Sequence, residues 1–266
     1  MIPSNIFQTF YGDFIPEESK KKQNLLKELN PNFNYFFYDS IECLNFIKEY
    51  YEKYYNIYLS YPHYQQKENF FKILIIYHYG GFFFDIDFLP QKNIEELQKY
   101  SCVLPQEKEI SNDCFYKKYG KYAKNSNELK QIGLYAFGAE KGHPLLLHII
   151  DEMVYRFNDY KISEQHLLNS NILVIERTTG TDIISIIYHS FADLYDDIKI
   201  LKGNDMESMD KNKHCLNTWY KFGIYGEFFY SDSLQKIRDY YNSDTVRIDI
   251  KDNEDAIMEE KPCIIS

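Results

Sequence analysis

Two aspartates one residue apart, Asp85 and Asp87, close an apolar run, Phe82-Phe83-Phe84, that follows a diglycine, Gly80-Gly81. Gly ends a helix in a left-handed conformation without a Cβ penalty, and three phenylalanines in a row read as a short buried strand. Charge is excluded from such a strand, so the aspartates belong where it surfaces. On extended backbone, residues i and i+2 point the same way, which would turn both carboxylates toward one point. Such a pair repels itself unless a cation or a proton lies between its members. Carboxylate oxygens favour hard ions, Mn²⁺ or Mg²⁺. An ion held by two carboxylates has open positions for a diphosphate and can neutralise charge on a departing nucleoside diphosphate.

The flanking elements are expected in the order helix, turn, strand. Tyr64 to Tyr79 reads as a helix with Phe70, Ile73, Leu74 and Tyr77 as its core stripe and Asn69 and Lys72 together on another face. Upstream, Asn5 to Tyr11 and Asn34 to Tyr38 read as strands. Helices are expected from Pro16 to about Asn30 and, capped by Ser40, from Ile41 to about Tyr54. This βαβα order favours an α/β sheet, and open α/β sheets bind ligands beyond the carboxyl ends of their strands.

Downstream, Asn93 to Glu96 opens a helix, Ser101 to Leu104 is a strand, and Gln106 to Leu129 is a polar surface excursion. Gly133 to Ala139 reads as a strand, His143-Pro144 as the start of a helix to about Phe157, and Ile172 to Ile175 as a strand. Thr179 to Asp182 is a turn and cap before a helix to about Ala192. Ile198 to Leu201 is a strand, His214 to Gly226 is irregular, and Ser231 to Tyr241 is helical. Residues 1–242 are expected as one domain and 243–266 as an acidic, weakly organised tail.

The 266 residues are 44% hydrophobic and 18% aromatic, enough for a sizeable core, and carry a formal net charge of −10. That balance lacks the basic footprint of nucleic-acid binding. Five scattered cysteines without a CxxC pair suggest free thiols rather than a zinc or redox site. The first residues lack the pattern of a signal peptide, and no apolar run reaches the ~18 residues of a membrane span. A soluble, cytoplasmic protein is the expectation.

The stretch from Tyr77 to Asp87 resembles the DXD sugar-binding region of glycosyltransferase family 32. That family includes yeast-type initiating mannosyltransferases and bacterial capsule enzymes, and more distantly it looks like the clostridial glucosylating toxins. Supporting segments occur in order from residue 2 to 220: Ile2-Pro3 with Ile6, Gln8, Thr9 and Phe10; Asn30-Pro31 with Phe33 and Tyr35; Gly142-His143-Pro144-Leu145; Thr178-Thr179-Gly180; and His214 with Thr218-Trp219. The resemblance implies a GT-A type, Rossmann-like nucleotide-sugar-binding fold with a central mixed sheet flanked by helices. It also implies a metal-dependent retaining glycosyltransferase acting on a nucleotide-diphosphate sugar, with UDP-sugar the guess, and a hydroxyl of a glycan, glycoprotein or glycolipid as acceptor.

By the same resemblance, Asp85, Asp87 and His214 would hold Mn²⁺ (or Mg²⁺). Gln8, Phe10, Asn69, Lys72, Gly80, Gly81, Asp85, Thr218 and Trp219 would line the donor, with Phe10 stacking on the base. No catalytic nucleophile is identified. The chain departs from the family at Asn69 and Lys72, where an Asp and an Arg are typical, and Lys lacks the bidentate fork of Arg. Two other readings are a non-catalytic nucleotide-sugar or metal-binding module and a phosphatase that uses an aspartyl-phosphate.

Overall fold

In this computed structural model the described residues are 1–12, 14–110, 129–161, 171–195, 197–202 and 223–224. All of them fall in one compact unit, Met1–Gly226. The boundary expected at residue 242, the helix at Ser231 to Tyr241 and the acidic tail lie outside the described residues.

Strand β1 (Asn5–Thr9) pairs in parallel with β2 (Asn34–Tyr38) on one side and with β3 (Gly81–Phe84) on the other. β7 (Ala136–Ala139) then pairs antiparallel with β3 and with β5 (Cys102–Ile110). β6 (Leu129–Ile132) continues along the same edge of β5, past a bulge between Gln106 and Lys108, and β8 (Ile198–Lys202) takes the other edge in parallel. The expected α/β class with a central mixed sheet flanked by helices is therefore what the chain adopts. β1, β2, β3, β5 and β8 all run one way, so their carboxyl ends share one rim. The chain leaves β1 toward β2 and later returns to its other side as β3, which makes β1/β3 a topological switch point.

β3 is buried on both faces. Phe83 joins a core with Phe70, Phe71, Ile73, Leu74 and Phe137, whereas Phe82 and Phe84 join another with Ile2, Ile6, Leu26 and Phe88. Helix α1 (Glu17–Leu29) covers the second face. Its carboxyl end is fixed by Asn30, whose amide donates to the Leu26 carbonyl while its Oδ1 accepts from the Ile94 N–H. The first face is covered by α2 (Ser40–Tyr50), α3 (Glu52–Ser60), α4 (Tyr64–Tyr79), α5 (Pro144–Lys161) and α7 (Thr181–Phe191). α4 is the innermost of these. Phe70, Phe71 and Ile73 to Ile76 are all fully buried, so it has an apolar circumference rather than the single stripe expected.

Several boundaries differ from the sequence reading. The cap of α2 is Asp39, not Ser40: its Oδ1 accepts from the Ile41 and Glu42 N–H groups, and Glu42 returns the bond to the Asp39 N–H, a capping box. The helix expected to Tyr54 stops at Tyr50 and restarts as α3, because Tyr51 leaves helical backbone. Gln106 to Ile110 continue β5 instead of opening a surface excursion. The expected strand from Gly133 starts at Ala136, and the helix expected at Asn93 is one 3₁₀ turn, Glu95–Leu97. Ile172 to Ile175 lie in a helix, α6 (Asn171–Thr178). A short apolar run has no period of its own, and here Val174 is buried and its carbonyl accepts from the Thr178 hydroxyl one turn later.

Removing the α2 capping box by Asp39→Ala is expected to cost about 1 kcal/mol. Chemical denaturation should register it as a lower midpoint with an unchanged slope.

Candidate functional site

α4 feeds the site from below. Gln66 accepts from the His63 N–H at its start and donates to the Thr178 hydroxyl, tying the helix to the Thr178-Thr179-Gly180 turn. At its end the Gly80 N–H reaches the Ile76 carbonyl, and Gly80 and Gly81 take φ of 68° and 125°. A Cβ on Gly80 would stand 2.6 Å from the Lys141 amide, and one on Gly81 2.6 Å from the Asn5 carbonyl. Both glycines lie at the amino end of β3, a strand's length from the aspartates. Positive φ and close packing on Pro3, Asn5 and Lys141 account for them without a ligand.

Asp85 and Asp87 lie at the opposite, carboxyl end of β3, on the shared rim at the switch point. They are not on extended backbone. The Phe88 N–H bonds the Asp85 carbonyl, closing a turn over residues 85–88, so strand alternation is not what brings the pair together. The turn is held from three directions. The Asp85 N–H donates to the Tyr135 carbonyl; Gln8 Nε2 donates to the Asp85 carbonyl at 3.0 Å; and Lys22 Nζ donates to the Asp87 carbonyl at 3.1 Å. Behind Gln8 a relay runs to α1: the Tyr35 hydroxyl donates to Gln8 Oε1 and accepts from Gln23 Nε2. Gln8 is buried with both ends of its amide engaged. It is placed to orient the aspartate turn rather than to face a ligand.

Lys72 is the nearest cation. Its side chain is only 4% exposed, yet its ammonium meets Asp85 Oδ1 at 2.6 Å and Glu68 Oε1 at 3.1 Å. It also stands over the Phe83 ring, 5.3 Å from the centroid. Burial alone would lower its pKa, but the two carboxylates outweigh that and hold it above the ordinary value. Lys72 thus belongs to the aspartate turn, held by ion pairs inside the protein. Asn69, one turn along the same helix, is buried and has no hydrogen-bond partner among the described residues. Phe10 is half-buried just past β1 on the same rim, its N–H bonded to the Tyr38 carbonyl.

Both aspartates sit above the usual carboxylate range. Burial is the main cause at Asp85, pushed up to about 8; Lys72 opposes it, and Glu68 and Asp87 add to it. Burial also leads at Asp87, pushed up to about 6 against the pull of Lys22 and Lys72. Burial penalises the charged form of both aspartates, and a divalent cation placed between them would favour it. The described residues contain no cluster of three or more His, Cys, Asp or Glu that could hold a metal ion by itself. Two carboxylates with the rest of the coordination sphere left to a ligand remain compatible with the hard-ion reading. His214, Thr218 and Trp219 lie outside the described residues. The described segment just beyond them, β9 (Gly223–Ile224), pairs with β4 (Leu89–Pro90), whose first residue comes two after Asp87.

Residues 16–104 match the family described as the glycosyltransferase sugar-binding region containing DXD motif. In that segment the chain is similar to the sugar-binding regions of those glycosyltransferases. The segment contains α1, α4 and the aspartate turn, which are the parts that build the rim. Mannosyl phosphorylinositol ceramide synthase SUR1 of Saccharomyces cerevisiae is 24% identical over 241 residues, covering 86% of this chain and 61% of that protein. Inositol phosphoceramide mannosyltransferase 1 of Schizosaccharomyces pombe is 30% identical over 120 residues, 43% of this chain and 38% of the relative. The chain thus spans less than two thirds of either relative. Among solved structures, PaToxG glycosyltransferase superposes with a TM-score of 0.48 at 16% identity, over 73% of this chain and 72% of that one. The family match stands against the aspartyl-phosphate alternative.

The sequence reading missed Glu68, Lys22, Gln23 and Tyr35. Glu68 carried a signal, four residues before Lys72 on a helix. The other three carried none, since only tertiary packing brings α1 and β2 to the turn.

Two outcomes are expected. Gly81→Ala should destabilise the fold by about 2 kcal/mol and leave any stabilisation by Mn²⁺ and nucleotide in place, measured by thermal shift. Asp87→Asn should raise the melting midpoint at pH 7.5. The native carboxyl has its pKa raised to about 6, so its contribution to stability is fully present below about 4, the unfolded value, and is lost as pH rises through 6. The amide has no such loss, so the advantage of the variant should shrink below pH 6 and vanish near pH 4.

Proposed function

We propose that this chain is a metal-dependent, retaining glycosyltransferase of GT-A type that moves a sugar from a nucleoside-diphosphate donor to a hydroxyl acceptor. The observation that carries the reading is the placement of Asp85 and Asp87 in a buttressed turn at the carboxyl end of β3, beside β1, at the switch point of the sheet. The relatives' names supply the finer choice: mannose as the sugar, and a glycolipid of the inositol phosphoceramide kind as the acceptor.

In this reading Asp85 and Asp87, and by the resemblance His214, would hold Mn²⁺ (or Mg²⁺). The ion supplies positive charge where the departing diphosphate gains negative charge. The chain's own residues do the positioning. Gln8, Tyr35 and Gln23 fix the Asp85 carbonyl, and Lys22 fixes the Asp87 carbonyl. Phe10 offers its ring to the nucleobase. Asn69 offers an amide to sugar hydroxyls, where a neutral group can donate and accept but cannot act as an anion. The resemblance would assign Thr218 and Trp219 to the donor as well. None of the described helices is long and apolar enough to cross a membrane.

A binder without activity is the second reading, favoured by the engagement of Lys72 within the protein. One screen separates the two. Mn²⁺ with UDP or GDP should raise the melting midpoint, as ligand linkage requires, and UDP- or GDP-linked mannose should be slowly hydrolysed in the same tube. Asp87→Ala should abolish both. Stabilisation without hydrolysis across the donors would leave a binder, and an unchanged Asp87→Ala would remove the aspartates from the site.

A further inference from the structure

The Lys72 ammonium poses a problem for any cation at the aspartate turn. It already holds Asp85 Oδ1 at 2.6 Å, and a divalent ion arriving at the same carboxylate would face a fixed positive charge in a buried setting. The ammonium cannot escape to water, because its side chain is 4% exposed. Among the described residues it already touches one other carboxylate. Glu68 Oε1 lies 3.1 Å from Nζ, one helical turn back on α4, and the Glu68 side chain is 19% exposed, so it can follow small movements of the lysine.

We propose that Glu68 is the second seat of the Lys72 ammonium: when Asp85 engages a divalent ion, Lys72 gives up its ion pair with Asp85 and keeps the one with Glu68. This rests on the reading of the turn as a metal-diphosphate site. No bond is made or broken. The ammonium keeps its charge and shifts between two carboxylates of the same helix-and-strand junction. Without ligand, Lys72 neutralises Asp85 and keeps a desolvated carboxylate tolerable. With the ion bound, the ion takes over that task and Glu68 keeps the displaced ammonium paired. Glu68 is thereby a positioning residue that acts through Lys72 and need not touch the ligand.

The Phe83 ring supports this geometry. It lies under the ammonium at 5.3 Å, on the strand that leads to Asp85, and Glu68, Lys72 and Phe83 come from two rigid elements joined by the diglycine. Cation–π attraction acts over such a distance and does not depend on which carboxylate is bonded. The lysine stem is thus held while its head is shared.

The test is a double-mutant cycle on Mn²⁺ binding, read from the electron paramagnetic signal of free Mn²⁺ titrated with full-length protein, with melting curves to confirm folding. Glu68→Gln should weaken Mn²⁺ binding about tenfold, because the displaced ammonium then has no partner. Lys72→Met should tighten it several-fold. Adding Glu68→Gln to Lys72→Met should change it by less than about twofold. Equal weakening by Glu68→Gln in both backgrounds would reduce Glu68 to a through-space charge and overturn the proposal. So would no weakening in either. Should Lys72→Met fail to fold, Lys72→Gln takes its place in the cycle. A wild-type protein that binds no Mn²⁺, with or without UDP or GDP, would remove the metal reading itself, whereas binding with additive effects would remove only the second seat.

Discussion

The rim of this sheet is organised around the cost of taking carboxylates out of water. Asp85 and Asp87 lie at the end of β3, Glu68 on α4 meets the same Lys72 ammonium as Asp85, and burial pushes both aspartates above their ordinary range. Breaking a buried pair strands a charge, so the ammonium of Lys72, itself 4% exposed, has to keep a carboxylate partner. Every other feature of the site follows from the need to keep this cluster in place without neutralising it completely. A fully paired turn would have no use for a cation.

The backbone of the turn is as constrained as its charges. The Asp85 carbonyl takes hydrogen bonds from both Gln8 and Phe88, and the Asp87 carbonyl takes one from Lys22. These donors come from β1, from the turn itself and from α1. The relay from Gln23 through Tyr35 to Gln8 adds β2. Three elements far from the turn in sequence, β1, α1 and β2, therefore support it. That is the kind of support a binding constellation needs if its geometry is to be held before a ligand arrives. The region matched by the family, residues 16–104, contains the turn and all of these supports except Gln8 and Tyr135.

Much of the architecture was legible because the local signals were strong and agreed with one another. β2 and α4 have the bounds expected from the sequence, since aromatic residues and a long apolar helix closed by two glycines leave little choice. Ile172 to Ile175 went the other way because a four-residue apolar run is equally at home in a strand or a helix. The continuation of β5 through Gln106 to Ile110 was hidden because its polar residues are paired by β6 and β8, partners found only in the folded chain. At the site, the aspartates and Lys72 stood out by type and spacing. The glycines stood out too, but for a role that belongs to the backbone at the other end of the strand.

By itself the sequence determined that two carboxylates would emerge after a diglycine and a buried strand, since no other placement satisfies three phenylalanines and two charges in so short a span. Tertiary structure alone decided what surrounds them. Whether Lys72 would face a ligand or turn inward depended on the distance from α4 to the end of β3. Whether Gln8 would touch a ligand or hold a carbonyl depended on the hydroxyl that Tyr35 brings from a neighbouring strand. Residue type fixes what a side chain is able to do; which neighbour it does it with is set by contacts between segments far apart along the chain, and no local pattern encodes those.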